Sequence, residues 1–121
     1  MTDAASIANH YIALWNEIDP QRRRALMADL WNETGTYLDP LMQGRGHDQI
    51  EALIAGVHGQ FPGFRFALLG RPDGYGNQVR FSWQLGPKGS DGPIKGTDFV
   101  TLENGRLASV VGFLDQVPAA A

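Results

Sequence analysis

QVRFSWQLG, residues 78–86, alternates Val79, Phe81, Trp83 and Leu85 with Gln78, Arg80, Ser82 and Gln84. Successive side chains of an extended chain point to opposite faces, so the stretch predicts a β-strand with one apolar face. The same period continues on either side. FRFALLG (64–70), IKGTDFVTL (94–102) and RLASVVGFLD (106–115) read as strands. RPDGYGN (71–77) reads as a turn, PKGSDGP (87–93) as a long glycine-rich hairpin loop and ENG (103–105) as a tight turn.

Ahead of these strands the period is helical. Ile7, Tyr11, Leu14, Trp15 and Ile18 predict an amphipathic helix from about residue 3 to 17. Asp19-Pro20 offers an N-cap with proline at the first helical position, and Leu26, Met27, Leu30 and Trp31 form the stripe of a second helix. NETGTYLDP breaks that period and predicts a short strand over 35–39, followed by a turn at MQGRGHD (42–48). Ile50, Leu53, Ile54, Val57 and Phe61 mark a third helix, ended by Phe61-Pro62-Gly63. Helices followed by a meander of strands define an α+β fold. Gly86, Gly96 and Gly112 give the strands places to bend. The expected architecture is three N-terminal helices packed on a strongly curved, mostly antiparallel sheet. Such a cone encloses a hollow suited to a ligand.

The 121 residues fit a single domain spanning 1–121, and 43% hydrophobic content is that of a globular chain. A formal net charge of -3 supplies no basic face for nucleic acid, and Arg22-Arg23-Arg24 reads as a solvated helix face. The absence of cysteine removes disulfides, thiolate metal sites and cysteine nucleophiles. No leader-like or membrane-length apolar stretch is evident, so a cytoplasmic protein with no membrane partner is expected. The C-terminal VPAAA (117–121) reads as a frayed tail.

The residues that carry chemistry are few. His10, His47 and His58 are not at metal-ligand spacing, with His47 reading as a capping or surface residue. GRGHDQI (44–50) is too short for a dinucleotide fingerprint, and no G-x-S-x-G turn is present. No metal and no cofactor are expected. Alternation places Asp98 on the more apolar face of 94–102, between Gly96 and Val100. A carboxylate there is costly to ionise unless paired. It is either a structural acid bridged to Arg80 or an indole, or a functional one. Asp39 precedes Pro40, which is common turn chemistry, yet Tyr37 and Asp39 share a side of an extended chain. Tyr11 lies on the apolar stripe of the first helix, where a buried phenol needs a partner.

With these acids placed, the chain resembles the nuclear transport factor 2-like superfamily, in particular its SnoaL-like and ketosteroid-isomerase-like members. The resemblance covers roughly residues 5–115 in element order. It rests on YIALWNEID (11–19), TYLDPLMQGRGHDQI (36–50) and GTDFVTLENGRL (96–107) with GFLD (112–115). Ketosteroid isomerases carry a tyrosine in the first helix, an Asp-Pro after the first strand and an aspartate on a late central strand, matched here by Tyr11, Asp39-Pro40 and Asp98. The resemblance implies that Asp39 abstracts a proton beside a carbonyl while Tyr11 and protonated Asp98 stabilise the oxyanion. An inward Arg80 would instead ionise Asp98. SnoaL-like polyketide cyclases use a pocket aspartate as acid/base, a role open to Asp98.

The expectation is an isomerase or cyclase that performs cofactor-free proton transfer on a small hydrophobic carbonyl compound, with Trp15, Tyr37, Phe61, Val111 and Phe113 lining the pocket. The alternative is a non-catalytic small-molecule-binding protein whose pocket acids are structural. A homodimer is expected from the resemblance, with an exposed sheet face bearing Phe81, Trp83 and Phe99 to be covered.

Overall fold

The structure is a computed structural model that describes residues 3–118. Helices α1 (Ala4–Asn16), α2 (Pro20–Leu30) and α3 (Gly46–Gln60) pack on strands β1 (Trp31–Leu38), β2 (Gln43–Arg45), β3 (Phe64–Tyr75), β4 (Gln78–Pro87), β5 (Ile94–Glu103) and β6 (Arg106–Gln116). The six strands form one curved, open sheet in the order β2-β1-β6-β5-β4-β3. Among the described residues only the β1–β6 pair is parallel; the other pairs are antiparallel, as expected for the α+β cone.

Local chemistry sets the helix starts. Asp3 caps α1 by accepting from the Ser6 amide at 3.0 Å, and Asp19 caps α2 by accepting from the Arg22 amide at 3.0 Å, with Pro20 leading the helix. Ala8, Tyr11, Leu14 and Trp15 form the buried face of α1, one helical stripe pressed onto the sheet. The Asn16 amide then acts as a substitute strand neighbour for β3, donating to Phe66 O at 2.9 Å and accepting from Phe66 N at 2.7 Å.

Several sequence expectations change. Trp31 does not extend the second helix. The chain passes directly into β1 there, and Trp31 is fully buried as its first residue. Arg23 is not part of a solvated face. It is buried, with Nε donating to Glu17 O at 3.0 Å, Nη2 to Ile18 O at 3.3 Å, and Glu51 at 3.6 Å. Residue 23 is where α2 meets both the α1–α2 connection and α3, so its many donors are used to satisfy carbonyls there. Residues 42–48 are not a plain turn. Gln43–Arg45 pair with Thr36–Leu38, and Gly46 begins α3. β3 runs on through residues 71–75, with a register shift between Leu69 and Asp73, so the turn narrows to Gly76-Asn77. The β5–β6 turn is the tight one expected, with Asn104 and Gly105 at φ of 54° and 79°, which suits a two-residue hairpin.

The buried residues form one core between the helices and the concave sheet face. Phe81 and Trp83 belong to that core, so the outer face is less apolar than expected. It shows Phe99 and Phe113, whose rings meet edge-on at 5.8 Å. Among the described residues no helix is long and apolar enough to cross a membrane. Of the expected C-terminal tail, residues 119–121 lie outside the described residues, whereas Val117 takes part in the cavity described next.

Candidate active site

Between α1, α3 and the concave sheet lies a cavity of about 260 Å³. Six of the expected residues meet in its wall: Tyr11, Trp15, Tyr37, Asp39, Phe61 and Asp98. Tyr11 and Trp15 sit one turn apart on α1, so both rings project the same way. Asp98 enters from β5, on the inner face that alternation predicts, flanked by buried Gly96 and Val100. Tyr37 and Asp39 come from the end of β1, two positions apart and on one side.

Val111 and Phe113 are the exceptions. Asp98 pairs with Gly112 across the β5–β6 ladder, so the strand neighbours facing inward with it are Val110, Gly112 and Leu114. Val111 and Phe113 point outward and are 37% and 55% exposed. The glycine at the inward position is what hid this parity, because VVGFLD has apolar residues on both faces and nothing to mark the inner one.

Three residues missed as lining complete the aromatic wall and its rim. Phe66 comes from β3, Trp83 from β4 and Gln60 from the end of α3. Ring centroids run Tyr37–Trp15 at 5.6 Å, Trp15–Phe66 at 5.5 Å and Phe66–Trp83 at 5.4 Å, a continuous aromatic ladder. The alternation of FRFALLG, which sets Phe64 and Phe66 on one side, was the available signal for Phe66.

The two acids sit in different surroundings. Asp39 is partly exposed and rich in donors. Its Oδ1 accepts from the Leu41 amide at 2.8 Å and the Met42 amide at 2.9 Å, and its Oδ2 accepts from Tyr37 Oη at 2.7 Å. It is thus both the turn residue and the cavity residue that the sequence left as alternatives. Asp98 is only 2% exposed, and Trp83 Nε1 donates to its Oδ1 at 3.1 Å. Burial pushes its carboxyl up to about 6; the Trp83 and Tyr11 donors oppose that rise, and the charges of Asp39 and Asp115 add to it. Burial, reinforced by Asp98, also holds the phenols of Tyr11 and Tyr37 well above their ordinary value, so both stay protonated donors. Tyr11 Oη lies against Asp98 but closes no hydrogen bond of good geometry with it or with any other described residue.

Two glycines make this arrangement fit. A Cβ on Gly96 would stand 2.4 Å from the Trp83 ring, and one on Gly112 would stand 2.8 Å from Asp98 Oδ1 and 3.4 Å from Asp39 Cβ. Their bare backbones let the indole cross β5 and let the two acids approach.

Arg80 takes no part. It lies on the outer face, paired with Asp73 at 3.2 Å, so Asp98 is bridged to an indole and not to a guanidinium. The histidines are also outside the cavity. His47 Nε2 meets Trp31 O at 3.0 Å, and His58 Nε2 meets Trp15 O at 2.6 Å. A larger, more open depression of about 570 Å³ lies on the outer face, where Ser82, Thr97 and Asp115 satisfy one another: Ser82 Oγ and Thr97 Oγ1 at 2.8 Å, and Thr97 Oγ1 donating to Asp115 at 2.6 Å. The apolar cavity with the perturbed carboxyl of Asp98 on its wall is the stronger candidate.

The fold and this cavity define a nuclear transport factor 2-like cone with an acid-bearing interior. The model of the SnoaL-like domain matches residues 8–110, and the chain belongs to that family. A solved structure from Agrobacterium tumefaciens, described as a candidate isomerase of the SnoaL-like family, is 50% identical, with a TM-score of 0.90 over 95% of this chain and 99% of that one. A candidate ketosteroid isomerase from Kribbella flavida is 18% identical, with a TM-score of 0.70 over 96% and 80% of the two chains. A candidate polyketide cyclase from Sinorhizobium meliloti is 14% identical, with a TM-score of 0.69 over 88% and 93%. No protein with a curated description matches the chain. Structures described as a candidate SnoaL-like isomerase and a candidate polyketide cyclase are therefore among its structural neighbours.

Proposed function

We propose that the protein is a cofactor-free isomerase or cyclase that moves a proton on a small carbonyl compound held in the cavity. The observation that supports this most is Asp98: a buried carboxyl on the cavity wall, with a proton affinity brought near neutrality by burial. A general base works best with a pKa near the working pH. In this reading Asp98 takes the proton from the carbon beside the carbonyl and returns it at another position. Tyr11, protonated and without a hydrogen-bond partner, donates to the substrate oxygen as negative charge develops there.

The resemblance to ketosteroid isomerases implies the opposite division, with Asp39 as base and Asp98 as donor. The structure favours Asp98 as base because both Asp39 oxygens are already engaged by three donors. Those contacts leave Asp39 less free than Asp98 to turn an oxygen toward a substrate carbon. The cavity, at about 260 Å³, is below the roughly 300–1,000 Å³ of pockets that hold drug-sized ligands, which favours a compact substrate over a four-ring one.

The test is deuterium exchange from heavy water into a panel of small ketones, followed by proton NMR across pH. With Asp98 as base, the rate rises as pH passes through about 6 and then levels. Asp98→Asn lowers it by about 100-fold or more. A rate that falls as pH rises through 6 reverses the two roles, and exchange unaffected by Asp98→Asn removes the proposal.

A further inference from the structure

The cavity carries two carboxylates and no basic side chain. Its described wall contains no lysine, arginine or histidine, while Asp39 and Asp98 both reach it. Arg80, the cation that the sequence offered as a partner for Asp98, is turned to the outer face and engaged by Asp73, and Lys95 is paired with Asp91. His58 is spent on the backbone of Trp15, a residue of the wall. Ionised carboxylates facing an apolar space without a counter-charge are costly, and a partner that brings positive charge relieves that cost.

The remainder of the wall suits such a partner. The rings of Tyr37, Trp15, Phe66 and Trp83 follow one another at 5.4–5.6 Å along it. Aromatic rings attract cations through the negative charge of their faces, most strongly when water is excluded, and cages of them recognise quaternary ammonium groups. The Tyr11 hydroxyl, buried and unpartnered, lies against Asp98 and gives the same ligand an oxygen site beside its charge site. The volume of about 260 Å³ corresponds to roughly eight water-sized groups, which limits the ligand to a small molecule.

We infer that the natural ligand is a small organic cation, an ammonium compound whose positive group sits among the aromatic rings against Asp39 and Asp98. The inference deepens the proposed function by naming the substrate class: it rests on that reading for the choice of cavity, not for the chemistry. A positive substituent would also offset the negative charge that develops on a carbonyl oxygen in a site with no basic residue.

The experiment compares choline with 3,3-dimethyl-1-butanol, its neutral carbon isostere, by calorimetry and by the fluorescence of Trp15 and Trp83 at pH 8 and low salt. The cation is expected to bind at least ten-fold more tightly than the isostere. Asp98→Asn and Asp39→Asn are each expected to remove most of that preference, with circular dichroism confirming the fold. Equal or tighter binding of the isostere, no binding of choline at millimolar concentration, or a preference unchanged in both variants overturns the inference. Because no turnover is measured, that failure leaves the proton-transfer proposal standing. Conversely, failure of deuterium exchange leaves a cation preference intact.

Discussion

Replacing Asp98 by asparagine should stabilise the protein at neutral pH while disabling its site. The ordinary value of this carboxyl is 3.8, and in the folded protein burial raises it to about 6. Between those values the folded chain holds a proton that the unfolded chain releases. Stability is therefore highest below about 4, declines as pH rises toward 6, and stays low above it. At ~1.36 kcal/mol per pKa unit, the decline attributable to Asp98 is about 3 kcal/mol. Asparagine has nearly the same shape, still accepts from Trp83 through its oxygen, and never ionises. Its amide adds a donor that can go unpaired, at a cost of about 1 kcal/mol at every pH. Urea denaturation at pH 4, 6 and 8 separates the two effects. Asp98→Asn is expected to be about 2 kcal/mol more stable than wild type at pH 8 and about 1 kcal/mol less stable at pH 4. The change between those pH values, about 3 kcal/mol, is the quantity that tests the reasoning, since the amide offset cancels. A difference that is flat with pH would show that Asp98 is not held against its own ionisation.

Three further substitutions probe the same surroundings. Trp83→Phe keeps the ring against Phe66 but removes the donor to Asp98 Oδ1. The Asp98 midpoint, followed by carboxyl carbon NMR, should move further above 6, and stability at pH 8 should fall by roughly 1.5–3 kcal/mol. An unmoved midpoint would mean that the indole only packs. Gly112→Ala places a Cβ 2.8 Å from Asp98 Oδ1, so a loss of roughly 1–3 kcal/mol is expected in thermal melts, together with a change in the Asp98 titration. Arg80→Ala breaks only an exposed pair with Asp73, and denaturation should register a change within about 1 kcal/mol with ligand binding unaltered.

The fold was legible where one period ran unbroken. The helical stripes of α1 and α3 and the alternation of β4 and β5 located those elements within a residue or two, except that α3 begins four residues before its first apolar residue, Ile50. Errors gathered where a short-range rule met a tertiary constraint. Trp31 continues a helical stripe in sequence, but the core takes it as a strand residue. Glycine, proline and aspartate at 71–74 look like a turn, yet β4 supplies enough ladder partners to carry β3 through them with a register shift. The acids were found because charge on an apolar face is conspicuous. Val111 and Phe113 were misassigned because Gly112, the residue that faces inward between them, has no side chain to declare it. The fate of Arg80 could be read only from the pairing of β4 with its neighbours, and its outward turn leaves Asp98 to the indole.

The single parallel pairing in the sheet has a consequence for how the chain acquires its structure. β1 joins the rest of the sheet only through β6, near the other end of the described chain. Until β6 docks, β2-β1 and β5-β4-β3 are two separate pieces with open edges, and the cavity has walls from both but no closure. Contacts of such long sequence separation carry a large loop-closure cost and slow folding. Assembly of the acid pair is thus tied to the last strand in the sequence. A chain released before β6 is made would expose unpaired strand edges, a known route to aggregation, and would hold only part of the cavity wall.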